Sequence, residues 1–172
     1  MDPLILPVQK VDSLYTVNEE SEFWICAIIA NFIGNWWYHA CSTCDSPMIE
    51  TGLLFECPIC RCLYKDGLLR YKMQIEVIDK SANASILLFD QVAEAFVGIS
   101  CHDLRFKFIE ERKEFQDITD DLERLIDQTF LFRVSVNQHQ IHKESSVFCW
   151  SMFEADPTLI NQHNQFTRER MD

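Results

Sequence analysis

The stretch from Trp36 to Tyr64, WWYHACSTCDSPMIETGLLFECPICRCLY, constrains this chain more than any other. It holds two Cys-x-x-Cys pairs, Cys41 with Cys44 and Cys57 with Cys60, joined by a linker short enough to bring them together. A tight turn at each pair aims two sulfurs at one point, and two such turns complete the four-thiolate shell of a tetrahedral zinc site. Four bound thiolates leave no position open for water or substrate, so the metal is read as scaffold rather than catalyst. A thioredoxin-like dithiol needs its Cys-x-x-Cys at the start of a helix in a βαβ setting, whereas here the motif is duplicated between short β-prone runs. Cys62 competes as a ligand by proximity, but skipping one residue after Cys60 suits a strand leaving the turn, and a strand residue is expected.

With 172 residues, 48% of them hydrophobic, the chain fits one domain with an ample core. Its formal net charge of -12 weighs against any phosphate-binding surface unless the bases are concentrated locally. They are: Arg61, Lys65, Arg70, Lys72 and Lys80 outnumber Asp66, Glu76 and Asp79 in their stretch, while the run from Asp103 to Asp127 is strongly acidic. The N-terminal MDPLILPVQK has no basic start and a Pro-broken apolar run, so no secretory leader is expected, and no stretch reaches transmembrane length. A reducing compartment, cytosol or nucleus, follows, in which Cys26, Cys101 and Cys149 are expected to be small buried hydrophobes. No Ser/His/Asp grouping, phosphate loop or carboxylate pair stands out, and the histidines share no spacing with the cysteines, which argues against an enzyme and a small-molecule substrate.

Along the chain, residues 1–11 form an extended N-terminal arm interrupted by Pro3 and Pro7. SEFWICAIIANFI predicts a long buried strand, and Gly34-Asn35 a two-residue turn into WWYHA. Asp66-Gly67 is the strongest hairpin signal, closing the insert and launching RYKMQIEVID, whose Tyr71, Met73, Ile75 and Val77 alternate with Lys72, Gln74 and Glu76. ASILLFD predicts a strand, and QVAEAFV a helix ending at Gly98. Two short helices are expected between His102 and Gln128, with Asp117 and Thr119 as caps near the break and helical spacing from Ile118 onward. TFLFRVSVN and SSVFCWSMFEA alternate as strands around a polar connection, and residues 157–172 form a polar, loosely periodic tail. The order indicates a mainly β, five-stranded barrel with a zinc-ribbon insert over residues 36–64 and short helices between strands.

WWYHACSTC, the CPIC turn, RYKMQIEVIDKSANASILLFDQVAEAFVGIS and FLFRVSV together resemble the C-terminal DNA-binding OB-fold domain of the replication protein A large subunit and its single-domain or telomerase-associated relatives. The similarity runs from about Asp12 to Asp156. It implies an OB-fold carrying a four-cysteine zinc ribbon at Cys41, Cys44, Cys57 and Cys60. It also implies binding of single-stranded DNA in the nucleus without chemistry on it, and contact with other OB-fold subunits. Phe89 matches a base-stacking aromatic of that family, whereas Ser85 and the region of Ile141 stand where stacking aromatics are missing. On this reading bases stack on Phe89 and on Trp36 or Trp37, Lys72, Arg70, Lys65 and Arg61 neutralise phosphates, and the strand lies across Lys72, Gln74 and Phe89. The rival expectation is a protein-interaction OB domain that docks a basic partner on the acidic run from Glu110 to Asp127.

Overall fold

The computed structural model describes residues 6–110, 120–143 and 146–164. Its strands are β1 (Val8–Gln9), β2 (Ser21–Ile33), β3 (Trp37–Ala40), β4 (Ile49–Thr51), β5 (Leu54–Glu56), β6 (Leu63–Tyr64), β7 (Leu68–Ile78), β8 (Asn83–Phe89), β9 (Thr129–Val136) and β10 (Val147–Glu154). Helices are α1 (Asp90–Val97), α2 (Cys101–Glu110), α3 (Asp120–Glu123), α4 (Gln138–Ile141) and α5 (Pro157–His163), and a 3-10 turn covers Val11–Tyr15. The chain forms two compact units, one comprising Met1–Ile33, Gln74–Leu88 and Asp120–Asp172, the other Gly34–Met73 and Phe89–Thr119.

The first unit is a closed barrel. β2 pairs with β9, β9 with β10, β10 with β8 and β8 with β7, and β2 closes the ring by pairing Ile28 with Ile78 through to Ile33 with Gln74. The β8–β10 pair is parallel, whereas β2–β7, β2–β9 and β9–β10 are antiparallel. Five strands in a closed Greek-key arrangement are the OB-fold expected from the sequence. Strict alternation dictates the interior: Ile75, Val77, Ile86, Leu88 and Phe132 are fully or almost fully buried. β2 is buried on both faces from Phe23 to Ile29 because Leu159 of α5 joins Trp24, Cys26 and Leu131 in a second apolar cluster, with Leu6, Val8 and Ile160 packed against it. Asp156 caps α5 by accepting from the Thr158 N–H at 2.9 Å, so the polar tail begins as a docked helix. Asp79, only 1% exposed, accepts from the N–H groups of Val11, Ser81 and Ala82 and from Ser81 Oγ, pinning the 3-10 turn to the β7–β8 connection.

The second unit carries the ribbon, the first half of β7 and helices α1 and α2. α1 ends as expected at Gly98, whose φ of 88° only glycine adopts at little cost. Several local expectations are corrected. Gly34 has a positive φ of 68°, but no β2–β3 hairpin forms: β3 pairs with β7, Trp37 opposite Tyr71 and Ala40 opposite Leu68. Nor does Asp66-Gly67 make a hairpin, since β6 pairs with β5 and neither residue has a positive φ. Gly67 is needed for space instead, because a Cβ there would lie 2.6 Å from Met48 Cε and 2.8 Å from His39 Cβ. Cys26 and Cys101 are buried, but Cys149 is exposed, because odd positions of β10 face outward. The polar connection after β9 contains α4, closed by a capping box of Asn137 and Gln140. The expected caps Asp117 and Thr119, the start of the helical spacing at Ile118, the middle of the acidic run (residues 111–119) and the end of the tail lie outside the described residues.

Candidate metal centre and nucleic-acid interface

The two Cys-x-x-Cys turns are the same structure built twice. In the first, the Cys41 carbonyl accepts from the Asp45 N–H at 2.9 Å, and the Cys41 N–H donates to Ser46 O at 2.9 Å. In the second, Cys57 O accepts from Arg61 at 2.8 Å, and the Cys57 N–H donates to Cys62 O at 3.0 Å. The residue after each second cysteine is left-handed, Asp45 at φ 65° and Arg61 at φ 61°. Backbone N–H groups point at sulfur in both, Thr43 toward Cys41 at 3.4 Å and Cys60 toward Cys57 at 3.3 Å.

The repetition gives Cys62 a backbone role, and Cys62 stands one residue before β6 rather than within the strand expected for it. Its backbone closes the second turn as Ser46 closes the first, while its side chain is exposed and donates toward Cys60 O at 3.5 Å. The cluster that could hold a metal ion is Cys41, Cys44, Cys57 and Cys60, with all sulfurs within 4.8 Å of one another. A tetrahedron with sulfurs about 2.3 Å from zinc has edges of about 3.8 Å, so a small contraction suffices. Cys44 and Cys57 already stand 3.5 Å apart.

Protonation within the cluster is divided. The Cys41 thiol is lowered to about 6, first by the hydrogen bond from the Cys44 backbone, with help from Thr43 and Tyr64. Cys60 is pushed up to about 12, chiefly by its hydrogen bond with Cys44 and by desolvation. Four adjacent sulfurs cannot all ionise without a cation among them, and a divalent ion would deprotonate them all. Tyr64 supports the first turn, its hydroxyl 3.7 Å from Cys41 Sγ and 3.2 Å from Thr43 Oγ1.

The expected nucleic-acid residues fall into three groups. Lys72 is exposed on β7, on the side opposite buried Tyr71 and Met73, and Gln74 follows on the same face, half-buried. Lys65 and Arg61 are exposed and form no ion pair among the described residues. Phe89 is 50% exposed where β8 runs into α1.

Trp37 and Arg70 are placed differently. Trp37 is 9% exposed, stands edge-on to Trp36 at 4.9 Å and carries the Arg105 guanidinium 4.2 Å above its ring. Trp36 also meets Tyr71 and Phe108, so both tryptophans form the core of this unit, and their faces are already covered. Arg70 bridges Asp45 at 3.2 Å and Asp90 at 3.0 Å, while the other oxygen of Asp90 accepts from the Tyr71 N–H at 3.0 Å. That chain ties the first cysteine turn to the start of α1 and commits the guanidinium to two carboxylates. Sequence reasoning missed it because neither Asp45 nor Asp90 lies near Arg70 in the chain. Arg105 over Trp37 was equally illegible, since no local spacing signals it.

No helix among the described residues is long and apolar enough to cross a membrane. The family model described as Replication factor-A C terminal domain matches residues 23–164. Among curated relatives, one of the Replication protein A 70 kDa DNA-binding subunits of Arabidopsis thaliana is 32% identical over 109 residues, covering 63% of this chain and 17% of that protein. A Replication protein A 70 kDa DNA-binding subunit of Oryza sativa subsp. japonica is 37% identical over 112 residues, again 63% of this chain and 17% of that protein. The chain therefore spans less than a fifth of the length of these relatives. A replication protein A heterotrimer bound to single-stranded DNA superposes with a TM-score of 0.71 at 16% identity, over 92% of this chain and 38% of that one. Yeast replication protein A bound to single-stranded DNA gives 0.56 at 18%, over 78% and 76%. At such identities the structural likeness establishes the OB-fold.

Proposed function

Since this chain belongs to the Replication factor-A C terminal domain family, whose model matches residues 23–164, we propose that it binds single-stranded DNA as an OB-fold module of a replication protein A-like complex. The module comprises residues 12–156 with its ribbon insert at 36–64. It acts in the nucleus, in replication, repair, recombination or telomere maintenance, beside other OB-fold subunits and without chemistry on the strand. The observation that carries the reading is Phe89, a half-exposed ring at the end of β8, on the strand pair through which OB-folds contact oligonucleotides. A base stacks on this exposed ring while Lys72 and Gln74 meet the backbone from β7, and Lys65 and Arg61 extend the cationic track along the ribbon. The covered faces of Trp36 and Trp37 support a scaffolding role for both. Arg70 orients the cysteine turn against α1 and contributes its residual positive field.

Cys41, Cys44, Cys57 and Cys60 hold one structural zinc ion. The donor set is all thiolate and pre-folded into twin turns, which favours zinc over harder cations. The ion would fix the ribbon and supply no reacting group.

Binding of labelled oligo-dT, titrated with salt and compared with duplex, tests the function. Affinity is expected to fall with a log-log slope of about -0.7 per phosphate contacted, with duplex bound more weakly. A flat salt response or no binding at low salt would refute it and favour the protein-docking role.

A further inference from the structure

The barrel unit holds a second aromatic ring placed as a ligand platform, and it comes from outside the barrel strands. Tyr15 ends the 3-10 turn before β2 and is 41% exposed. Its hydroxyl donates to Asn83 O at 2.7 Å, and its ring meets Phe148 edge-on, 5.5 Å between centroids at 83°. The ring is therefore held by its hydroxyl and by the perpendicular contact with Phe148 while the residue stays 41% exposed, so much of its ordering cost is met before any ligand arrives.

Tyr15 lines a cavity of about 170 Å³ together with Gln140, Lys143, Ser146 and Phe148. That is below the roughly 300–1,000 Å³ of sites for drug-sized molecules and suits a single heterocycle. Lys143 supplies the positive charge. Its φ of 62° turns the chain left-handed just after α4, and its Nζ donates to Tyr15 O at 3.3 Å. Gln140 is spent on structure, accepting from the Asn137 N–H at 2.7 Å and donating to Val147 O at 2.9 Å, so it walls the cavity without competing for a ligand. Burial, and then Glu76, raise the Tyr15 pKa, which keeps the platform a neutral phenol. Glu76 also disfavours a phosphate on its own side of the ring, leaving Lys143 as the anion contact.

We infer that Tyr15 is a base-stacking platform with Lys143 as its phosphate contact, together holding one nucleotide of a bound single strand. The inference rests on the single-stranded DNA reading and extends it. The connection after β9 carries Lys143, and the ring beside it comes from the turn before β2. Asn83, which holds the Tyr15 hydroxyl, opens β8, the strand that Phe89 closes.

The test uses the metal-replete full chain and labelled oligo-dT. Tyr15→Leu, which keeps apolar bulk but removes the π-face, is expected to weaken binding about 5- to 150-fold, and Tyr15→Phe to retain it within about twofold. Lys143→Asn suits a left-handed backbone and removes the charge, and it is expected to reduce the salt slope by about 0.7. Ultraviolet crosslinking of the unaltered protein to oligomers carrying 5-iododeoxyuridine reads the contact directly, with an adduct expected at Tyr15. No such adduct, or Tyr15→Leu binding as tightly as the unaltered chain while Phe89→Ala weakens it, would overturn the platform and leave the single-strand reading standing. Displacement of the Tyr15 adduct by free thymidine monophosphate at concentrations that leave the oligomer bound would reassign the cavity to mononucleotides. Failure of the unaltered protein to bind any single strand would overturn both.

Discussion

Gly67 offers the sharpest check on the physical account, because two explanations for a glycine at this position predict opposite mutant orders. Asp66-Gly67 suggests a turn glycine, chosen for positive φ; the structure instead makes it a packing glycine. An added Cβ would stand 2.6 Å from Met48 Cε, 2.8 Å from His39 Cβ and 3.3 Å from Ala40 O. Met48 Cε is the tip of a flexible chain and can swing away. His39 Cβ cannot, since His39 is paired with Leu69 across β3–β7 and its ring stacks on Phe55 with centroids 4.4 Å apart. Relief must come from β3 itself, an overpacking cost of about 1–3 kcal/mol. At roughly 2–4 °C per kcal/mol for a chain of this size, Gly67→Ala should lower Tm by a few to about ten degrees. The decisive comparison is Gly67→Asn. Asparagine tolerates left-handed backbone, so it would outperform alanine if φ were the constraint, but it is larger and should be worse if space is. Gly52 is the control: its φ is 66° and nothing lies within 4 Å of an added Cβ, so there asparagine should outperform alanine. Denaturant melts of the four variants decide it. Gly67→Asn milder than Gly67→Ala, or Gly67→Ala within about 0.5 kcal/mol of the parent, would refute the packing explanation.

Chelation should unfold the ribbon or the whole chain, because apparent structural-zinc energies of about 10–16 kcal/mol exceed typical net stabilities; near-UV dichroism and melting check this. Cys57→Ser should mimic it, whereas Cys62→Ser should be mild, since only the Cys62 carbonyl serves the turn. Phe89→Ala should weaken oligo-dT binding about 5- to 150-fold with little loss of Tm, measured by anisotropy and calorimetry. Burial pushes the Cys26 and Cys101 thiols up to about 12, so alkylation at mildly alkaline pH, mapped by mass spectrometry, should reach Cys149 and Cys62 first. Because those two buried thiols keep their protons when the unfolded chain has lost them, stability should fall as pH rises from about 9 towards 12. Arg61→Asn should stabilise by up to about 1 kcal/mol in denaturant melts, since Arg61 is a non-glycine residue held at φ 61°.

Much of this chain is legible from local pattern. The alternation in RYKMQIEVI foretells which side of β7 is buried, and the glycine after QVAEAFV marks the end of α1. The grouping of Cys41, Cys44, Cys57 and Cys60 follows from spacing alone, and Asn137 with Gln140 carries the local capping-box signature of α4. Turn chemistry misled at Gly34 and Asp66-Gly67 because hairpin signals speak for adjacent strands, and β3, β6 and β7 take partners elsewhere in the chain.

The sequence by itself determined the strand periods, the cysteine turns and the family, because each depends on residues a few positions apart. Only the tertiary structure decided that Trp36 and Trp37 are covered while Phe89 and Tyr15 stay about half exposed, that Arg70 is held by Asp45 and Asp90, and that Cys62 closes a turn with its carbonyl. Exposure and pairing depend on what long-range folding brings against each side chain, and an aromatic residue carries the same local signal whether its face meets core or solvent.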